Sequence, residues 1–228
     1  MTADMLPRDL GDGLVLRWAT PADSEAIARF NGRIHGDGEA PNPFVVGYTR
    51  DLISDGHPTV GPGNFSLVED TRDGDKVVSS LCLIPQTWTY AGIPFGVGRP
   101  EIVGTDPAYR RRGLVRAQME VAHARSAALG HLVQGITGIP WYYRQFGYEY
   151  ALALGGGRQT PLSSVPRLKD GEAEPYRLRP MTVADVPFVA PLCQQAEARS
   201  LVACPRNADY WRYLLTGPSA GAFGPVSR

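Results

Sequence analysis

The chain is 228 residues long and carries 23 Lys and Arg against 23 Asp and Glu, so its formal net charge is zero. That balance argues against a broad electrostatic surface for nucleic acid or an anionic membrane, and any anion site has to be local. Apolar residues make up 43 % of the chain, but no uninterrupted run is long enough to cross a bilayer and the opening MTADMLPRDL lacks the apolar stretch of a secretion signal, which points to the cytoplasm.

The first predicted element is a short strand at LVLRWAT. It is followed by Thr20, Pro21, Ala22 and Asp23, with Pro at the first helical position and an acid in the first turn. A helix to about Ile34 follows. HGDGEAPNPF reads as a loop and YTRDLIS as a short helix. NFSLVED and KVVSSLCLIPQTWTY flank TRDGDK, whose Asp-Gly is a hairpin signal, so an antiparallel pair is expected. A further strand over Val97 to Thr105 should be broken or bulged near Arg99 and Pro100, because Pro cannot donate to a ladder.

The next helix has Leu114, Ala117, Val121, Ala124 and Ala128 at alternating spacings of three and four, the period of one buried face, and Gly130 is its stop. HLVQGIT then reads as a buried strand, PWYYRQF as a helical turn and YEYALAL as a last strand. The order predicts an α/β fold with a mixed sheet and helices on both faces. Cys82, Cys193 and Cys204 are odd in number and lack metal-ligand spacing, so free thiols and no metal are expected.

GGGRQTPLSSVPRLKDGEAEP reads as a linker. Beyond it YRLRPMTVADVPFVA repeats the design of LVLRWATPADSEAIA at an offset of 162 residues, with Leu16/Leu178, Arg17/Arg179, Thr20/Thr182, Ala22/Ala184, Asp23/Asp185 and Ala28/Ala190 identical. The bland explanation is that Thr followed three residues later by an acid is a capping signal in its own right. An internal duplication divides the chain into a first domain at 1–157, a linker at 158–174 and a partial second repeat at 175–228. A segment that short rarely folds alone, so it should dock on the first domain or on another subunit.

The densest chemistry is TDPAYRRRGLVRAQM, which concentrates Arg110, Arg111 and Arg112 and then Gly113 in front of a helix. Exposed amides at a helix start attract anions, a glycine lets the backbone approach closely, and arginines add permanent bidentate donors. Together they suit a pyrophosphate. The stretch is neither a Walker loop nor a dinucleotide fingerprint, because the required Gly-Lys-Ser/Thr and the further glycines are missing. A solvated basic helix start is the alternative. Arg116, one turn on, could likewise reach phosphates or stay in solvent.

With these residues in view, VGTDPAYRRRGLVRAQM resembles the acetyl-coenzyme A signature of the GCN5-related N-acetyltransferase (GNAT) superfamily. Arg110 and Gly113 fill its first two fixed places. Val115 stands where Gly or Ala is usual, which would crowd the phosphates, and Thr105 replaces the usual Val. Arg-Arg-Arg-Gly-Leu followed by an aliphatic residue resembles the branch related to the mycobacterial enhanced intracellular survival protein, whose members carry tandem acetyltransferase-like domains. YYRQFGYEYAL resembles the second family motif. The resemblance covers about residues 14 to 155.

It implies a GNAT-like, mainly antiparallel sheet and transfer of an acetyl group from acetyl-coenzyme A, with no metal, to a small-molecule primary amine. Backbone groups of Val103 and Thr105 would pair with the pantetheine arm, and Arg110, Arg111, Arg112, Gly113, Leu114 and Val115 would surround the diphosphate. An alkyl amine has to lose a proton before it attacks, and a tyrosine with pKa near 10 can protonate the leaving thiolate. The motif puts that role on Tyr143 rather than its neighbour Tyr142. Packing aromatics are the alternative for both.

Glu101, at even spacing from Val103 and Thr105, should share their face, where it could relay the amine proton, bind a cationic substrate, or simply pair as a strand-edge acid with Arg99 or another base. His35, Asp37, Glu39 and Asp51 could attract a cationic amine, the strand around Trp88 and Tyr90 could line its pocket, and Trp141 is expected in the core. A non-catalytic acyl-coenzyme A sensor and a nucleic-acid protein are the competing functions. No nucleic-acid or membrane partner is expected, and a homo-oligomer is compatible with the sequence.

Overall fold

The computed structural model describes residues 6–36, 40–54, 56–153, 160–164, 169, 171–173, 175–177 and 179–217. Asp37, Glu39, Leu154 and Leu178, on which parts of the sequence reading fall, lie outside the described residues, as does 218–228.

The fold is the expected mixed α/β arrangement. Strands β1 (Arg8–Asp9), β2 (Leu14–Trp18), β3 (Phe65–Asp70), β4 (Lys76–Tyr90) and β5 (Ile93–Thr105) pair antiparallel in that order. Strand β6 (Val133–Gln134) adds parallel to β5. Helices α1 (Ser24–Ile34) and α2 (Pro43–Ile53) cover one face of the sheet through Ile27, Phe30, Leu52 and Ile53, which pack on Phe65, Leu67, Cys82 and Ile84. Helix α3 (Leu114–Ala128) covers the other, with Leu114 and Ala117 against Leu14, Leu16, Val68 and Val78, and Met119 and Ala122 against Leu81. Apolar residues of alternate parity along β4 therefore feed two separate cores, as a strand covered on both sides requires.

Local chemistry sets several boundaries. Arg17 of β2 donates through Nη1 and Nη2 to Asp23, at 2.8 and 2.7 Å, and through Nη2 to Glu69 of β3 at 2.7 Å. Asp23 also accepts from the Thr20 amide and hydroxyl, closing a capping box that starts α1. The same guanidinium so ties the sheet to the first helix. Helix α2 begins earlier than YTRDLIS suggested, because the Asn42 side chain accepts from the Phe44 and Val45 amides and Pro43 occupies the first turn.

Four expectations are corrected. On α3 the fully buried stripe includes Leu114, Gln118, Ala122 and Ser126, whereas Val121 and Ala124 are only partly covered and Ala128 is exposed. The missing signal is Gln118, a polar residue with no exposure. It donates through Nε2 to the Ser66 carbonyl at 3.1 Å, and its Oε1 lies 2.6 Å from Ser79 Oγ. Of HLVQGIT only Val133 and Gln134 form a strand, and Leu132 and Val133 are exposed. Residues 148–153 are irregular, so YEYALAL forms no strand among the described residues. The ladder is regular at Arg99 and Pro100, opposite Ile84 and Leu83, and the bulge falls later, where Ile102 and Val103 together face Leu81.

The later segment docks on this body. Helix α4 (Val186–Glu197) lies 162 residues after the start of α1 and opens with the same contacts. Arg179 donates to Asp185 at 2.7 and 2.6 Å, and Asp185 accepts from the Thr182 amide and hydroxyl at 2.8 and 2.9 Å. Strand β7 (Val202–Ala203) pairs with Thr89 and Tyr90 at the far end of β4. Helix α5 (Ala208–Thr216) brings the Tyr213 ring edge-on to the buried His57 ring at 4.6 Å.

Replacing Gln118 by Met roughly keeps the size of the buried side chain but removes its bonds to the Ser66 carbonyl and the Ser79 hydroxyl. The expected cost is roughly 1 to 3 kcal/mol, read as a lower urea midpoint with unchanged slope.

Candidate active site

Three structures meet at the carboxyl end of β5. The first is the start of α3. Asp106 accepts from the Ala108 amide at 3.0 Å, and the Tyr109 hydroxyl donates to Asp70 at 3.0 Å, which pins the turn to β3. Arg111 (φ 63°) and Gly113 (φ 74°) are both left-handed, and no side chain caps the helix. The first helical hydrogen bond runs from the Ala117 amide to the Gly113 carbonyl, so the amides of the opening turn point outward without an intrahelical partner. Gly113 suits its conformation because a side chain there would be strained. Arg110, Arg111 and Arg112 are exposed around these amides, with Arg112 5.2 Å above the Tyr109 ring.

Leu114 is buried, and Val115 is partly buried in the same cluster as Tyr143. Arg116 lies 5.2 Å over the Phe146 ring and donates to Gln145 at 3.1 Å. It fastens α3 to the aromatic turn.

The second structure is the bulge in β5. One extra residue reverses the inward and outward alternation on either side of it. Ile102 takes φ 49°, a left-handed conformation that a β-branched residue rarely adopts. The expectation that Glu101, Val103 and Thr105 share a face is overturned for this reason. Val103 packs with Leu81 and Met119 on the α3 side, and Thr105 Oγ1 lies 2.8 Å from Ser79 Oγ in the Gln118 network. Glu101 pairs across the ladder with Cys82 on the α1 and α2 side, where it accepts from Arg99. Tyr48 of α2 lies in the same field: burial raises its pKa first, and the Glu101 charge adds to this.

On its other side β5 is paired with β6 only at Val97 and Gly98, with a last bond from the Gly135 amide to the Gly98 carbonyl. From Arg99 to Thr105 that edge of β5 has no strand partner among the described residues. An extended amide-bearing molecule could pair there as an added strand.

The third structure is the turn Tyr142–Phe146. Tyr143 packs on Leu81, Met119 and Ala122 together with Val103 and Val115, and its ring lies so close over Gly138 that a Cβ there would approach Cε2 to 2.5 Å. Burial, then Tyr142 and then Glu101, push its pKa up to about 12. Tyr142 is 37 % exposed. Tyr148, behind them, donates to Gln134 at 2.7 Å and lies 3.1 Å from His123 Nε2.

The remaining sequence candidates fall in different places. Asp51 is a buried residue of α2 rather than a loop acid, and His35 stands at the end of α1. Trp88 is half-buried and donates to Gln86, while Tyr90 is exposed. Trp141 is 66 % exposed, which corrects its expected core position; Arg144 lies over its ring and Tyr150 meets it edge-on. Sequence reasoning missed Tyr48 and the approach of α5, whose Tyr210 contributes to the field at Tyr48 and Arg99. No periodicity marks a contact between segments so far apart in the chain. Among the described residues no group of three or more His, Cys, Asp or Glu could hold a metal, and no helix is long and apolar enough to cross a membrane.

Residues 17–151 match the family described as Acetyltransferase (GNAT) domain. No curated protein sequence matches the chain significantly. Among solved structures the chain is similar to an acetyltransferase from Trypanosoma brucei at 20 % identity, over 65 % of this chain and 98 % of that one, with a TM-score of 0.45. It is similar to glucosamine-6-phosphate N-acetyltransferase from Arabidopsis thaliana at 13 % identity, over 64 % and 97 %, with a TM-score of 0.48. Eis1 from Mycobacterium abscessus matches at 15 % identity over 59 % of this chain and 31 % of its own, with a TM-score of 0.46.

A partly buried phenol of this kind should hold its proton to about pH 12, above the ordinary tyrosine value near 10. Ultraviolet difference titration of the wild type against Tyr143→Phe should isolate one late ionisation; a difference centred at the ordinary value would contradict the burial.

Proposed function

The chain belongs to the GNAT acetyltransferase family, and from that premise we propose that it moves the acetyl group of acetyl-coenzyme A to the primary amine of a small molecule, with Tyr143 as general acid. The observation that carries this is the meeting of Val103 from the bulge, Val115 from the first turn of α3 and Tyr143 on one cluster. A carrier anchored by its diphosphate at the helix start would thus extend along the open edge of β5 towards the tyrosine.

The amides of Gly113, Leu114 and Val115, with the guanidinium groups of Arg110, Arg111 and Arg112, bind the diphosphate in this scheme. Backbone groups of Val103 and Thr105 pair with the pantetheine amides. The amine nitrogen forms its bond to the thioester carbon as the carbon–sulfur bond breaks, and the departing sulfur takes the Tyr143 proton. A high phenol pKa fits that role, since the group is fully protonated at neutral pH and donates only to a strong base such as a nascent thiolate. Glu101, held by Arg99 on the opposite face of the sheet, serves the acceptor side.

The matched contacts of Arg17, Thr20 and Asp23 with Arg179, Thr182 and Asp185 favour a second, partial acetyltransferase-like repeat at 175–228, after a linker at 158–174. Together with the Arg-Arg-Arg-Gly-Leu form this supports a place in the branch of the enhanced intracellular survival protein. We further propose a cytoplasmic location.

Calorimetry with acetyl-coenzyme A, followed by thiol release over a panel of alkyl amines, polyamines and aminoglycosides, tests the proposal. Binding with amine-dependent release is expected, and binding without it would convert the protein into an acyl-coenzyme A sensor. Arg110→Ala combined with Arg112→Ala should weaken cofactor binding by about 2 to 4 kcal/mol, or roughly thirty- to a thousandfold, through lost charge-assisted hydrogen bonds. Unchanged affinity would remove the diphosphate assignment. Tyr143→Phe should leave binding intact and lower kcat about a hundredfold.

A further inference from the structure

Resting on the acetyl-transfer reaction above, we infer that His35 is the general base that takes the proton from the acceptor amine. Three observations converge on it.

The first is position. His35 ends α1, where its amide donates to the Asn31 carbonyl at 3.0 Å, and it lies against β5 immediately past the bulge. A Cβ on Gly104 would come within 2.8 Å of Ile34 Cγ2 and 3.3 Å of His35 Nε2. Glycine at 104 is therefore what lets the imidazole approach the strand that carries Val103. This is the α1 and α2 side of the sheet, shared with Glu101 and opposite to Tyr143. A base on one face and an acid on the other act on different atoms, the attacking nitrogen and the departing sulfur, and so do not compete for one position.

The second is the state of the ring. The chain has four histidines. His57 accepts from the Thr59 and Val60 amides, His123 pairs with Tyr148, and His131 pairs with Ser126. The ring of His35 makes no hydrogen bond among the described residues, although it is accessible to solvent. Its neighbours nevertheless desolvate it enough to lower its pKa, a shift towards the neutral form that can accept a proton. The nearby charges are committed elsewhere, Arg33 to Asp106 and Glu101 to Arg99.

The third is the surroundings. Two buried oxygens close by, Asn31 Oδ1 one turn earlier on α1 and Ser80 Oγ on the residue paired with Gly104, have no hydrogen-bond partner. Unsatisfied buried oxygens of this kind are sites where ordered water is expected, and such water would carry a proton away from the imidazole.

The proton count closes. His35 Nε2 takes one proton from the ammonium, and the freed lone pair forms the carbon–nitrogen bond as the carbon–sulfur bond breaks. Sulfur takes the Tyr143 proton, and the second amine proton, shed as the amide forms, restores Tyr143 through solvent. His35 returns its proton to water, so each turnover releases one proton.

The test uses ethylamine and its trifluoro analogue, whose fluorines lower its basicity below neutrality while keeping the same two-carbon chain. With ethylamine, His35→Ala and His35→Gln should lower kcat about a hundredfold or more with an unchanged KM for acetyl-coenzyme A, and added imidazole should restore part of the rate in His35→Ala. With the fluorinated amine, which arrives unprotonated, the loss should shrink to a few-fold. Equal losses with both amines, or wild-type rates in the variants, would overturn the assignment while leaving the acetyl-transfer reaction standing. A wild type that binds acetyl-coenzyme A but releases no thiol with either amine, or with the wider panel, would overturn both.

Discussion

The candidate site depends on one extra residue in β5. Because Ile102 and Val103 together span the place opposite Leu81, the alternation of the strand changes parity there. Glu101 and the Arg99 guanidinium emerge beneath α1 and α2, whereas Val103 and Thr105 turn towards α3 and the Tyr143 turn. A regular strand would put Glu101, Val103 and Thr105 on one side and leave the other without a carboxylate. The left-handed φ of Ile102 is costly for a β-branched residue, on the order of 1 to 3 kcal/mol. It persists because the ladder to β4 holds the strand on both sides of it.

The bulge alone would not fix its distance from the helix start. A buried polar chain does that: Gln118 of α3 bonds Ser66 of β3, and Ser79 of β4 lies between Gln118 and Thr105 of β5. Polar groups with no access to water are costly unless all are paired, so this chain tolerates few alternative registers of helix on sheet. It thereby couples the amides at Gly113 to the strand along which a pantetheine arm would lie. Arg116, stacked on Phe146, extends the coupling to the turn that carries Tyr143.

Charge is arranged with similar economy. The chain is neutral overall, yet three exposed arginines surround one uncapped helix end, while Arg17, Arg33, Arg50 and Arg99 are each held by carboxylates. What distinguishes Arg110, Arg111 and Arg112 is thus their lack of such partners among the described residues together with outward-facing amides beside them. The Arg17 cluster shows the contrasting use of the same residue type, binding a sheet to a helix, and its near copy at Arg179 indicates how readily that junction recurs.

By itself the sequence determined the elements whose causes are local: the capping box at Thr20 and Asp23, the hairpin at TRDGDK, the glycine stop of α3 and the arginine-glycine start of that helix. Each follows from side chains within a few residues of the backbone groups they satisfy. Only the tertiary structure decided the rest. The parity change at Ile102, the burial of Gln118 in place of the expected Ala128, the exposure of Trp141 and the approach of His35 to Gly104 all arise from contacts between segments distant in the chain. Such contacts are selected by packing and by the pairing of buried polar groups, and periodicity along a single strand or helix carries no record of which partner will face it.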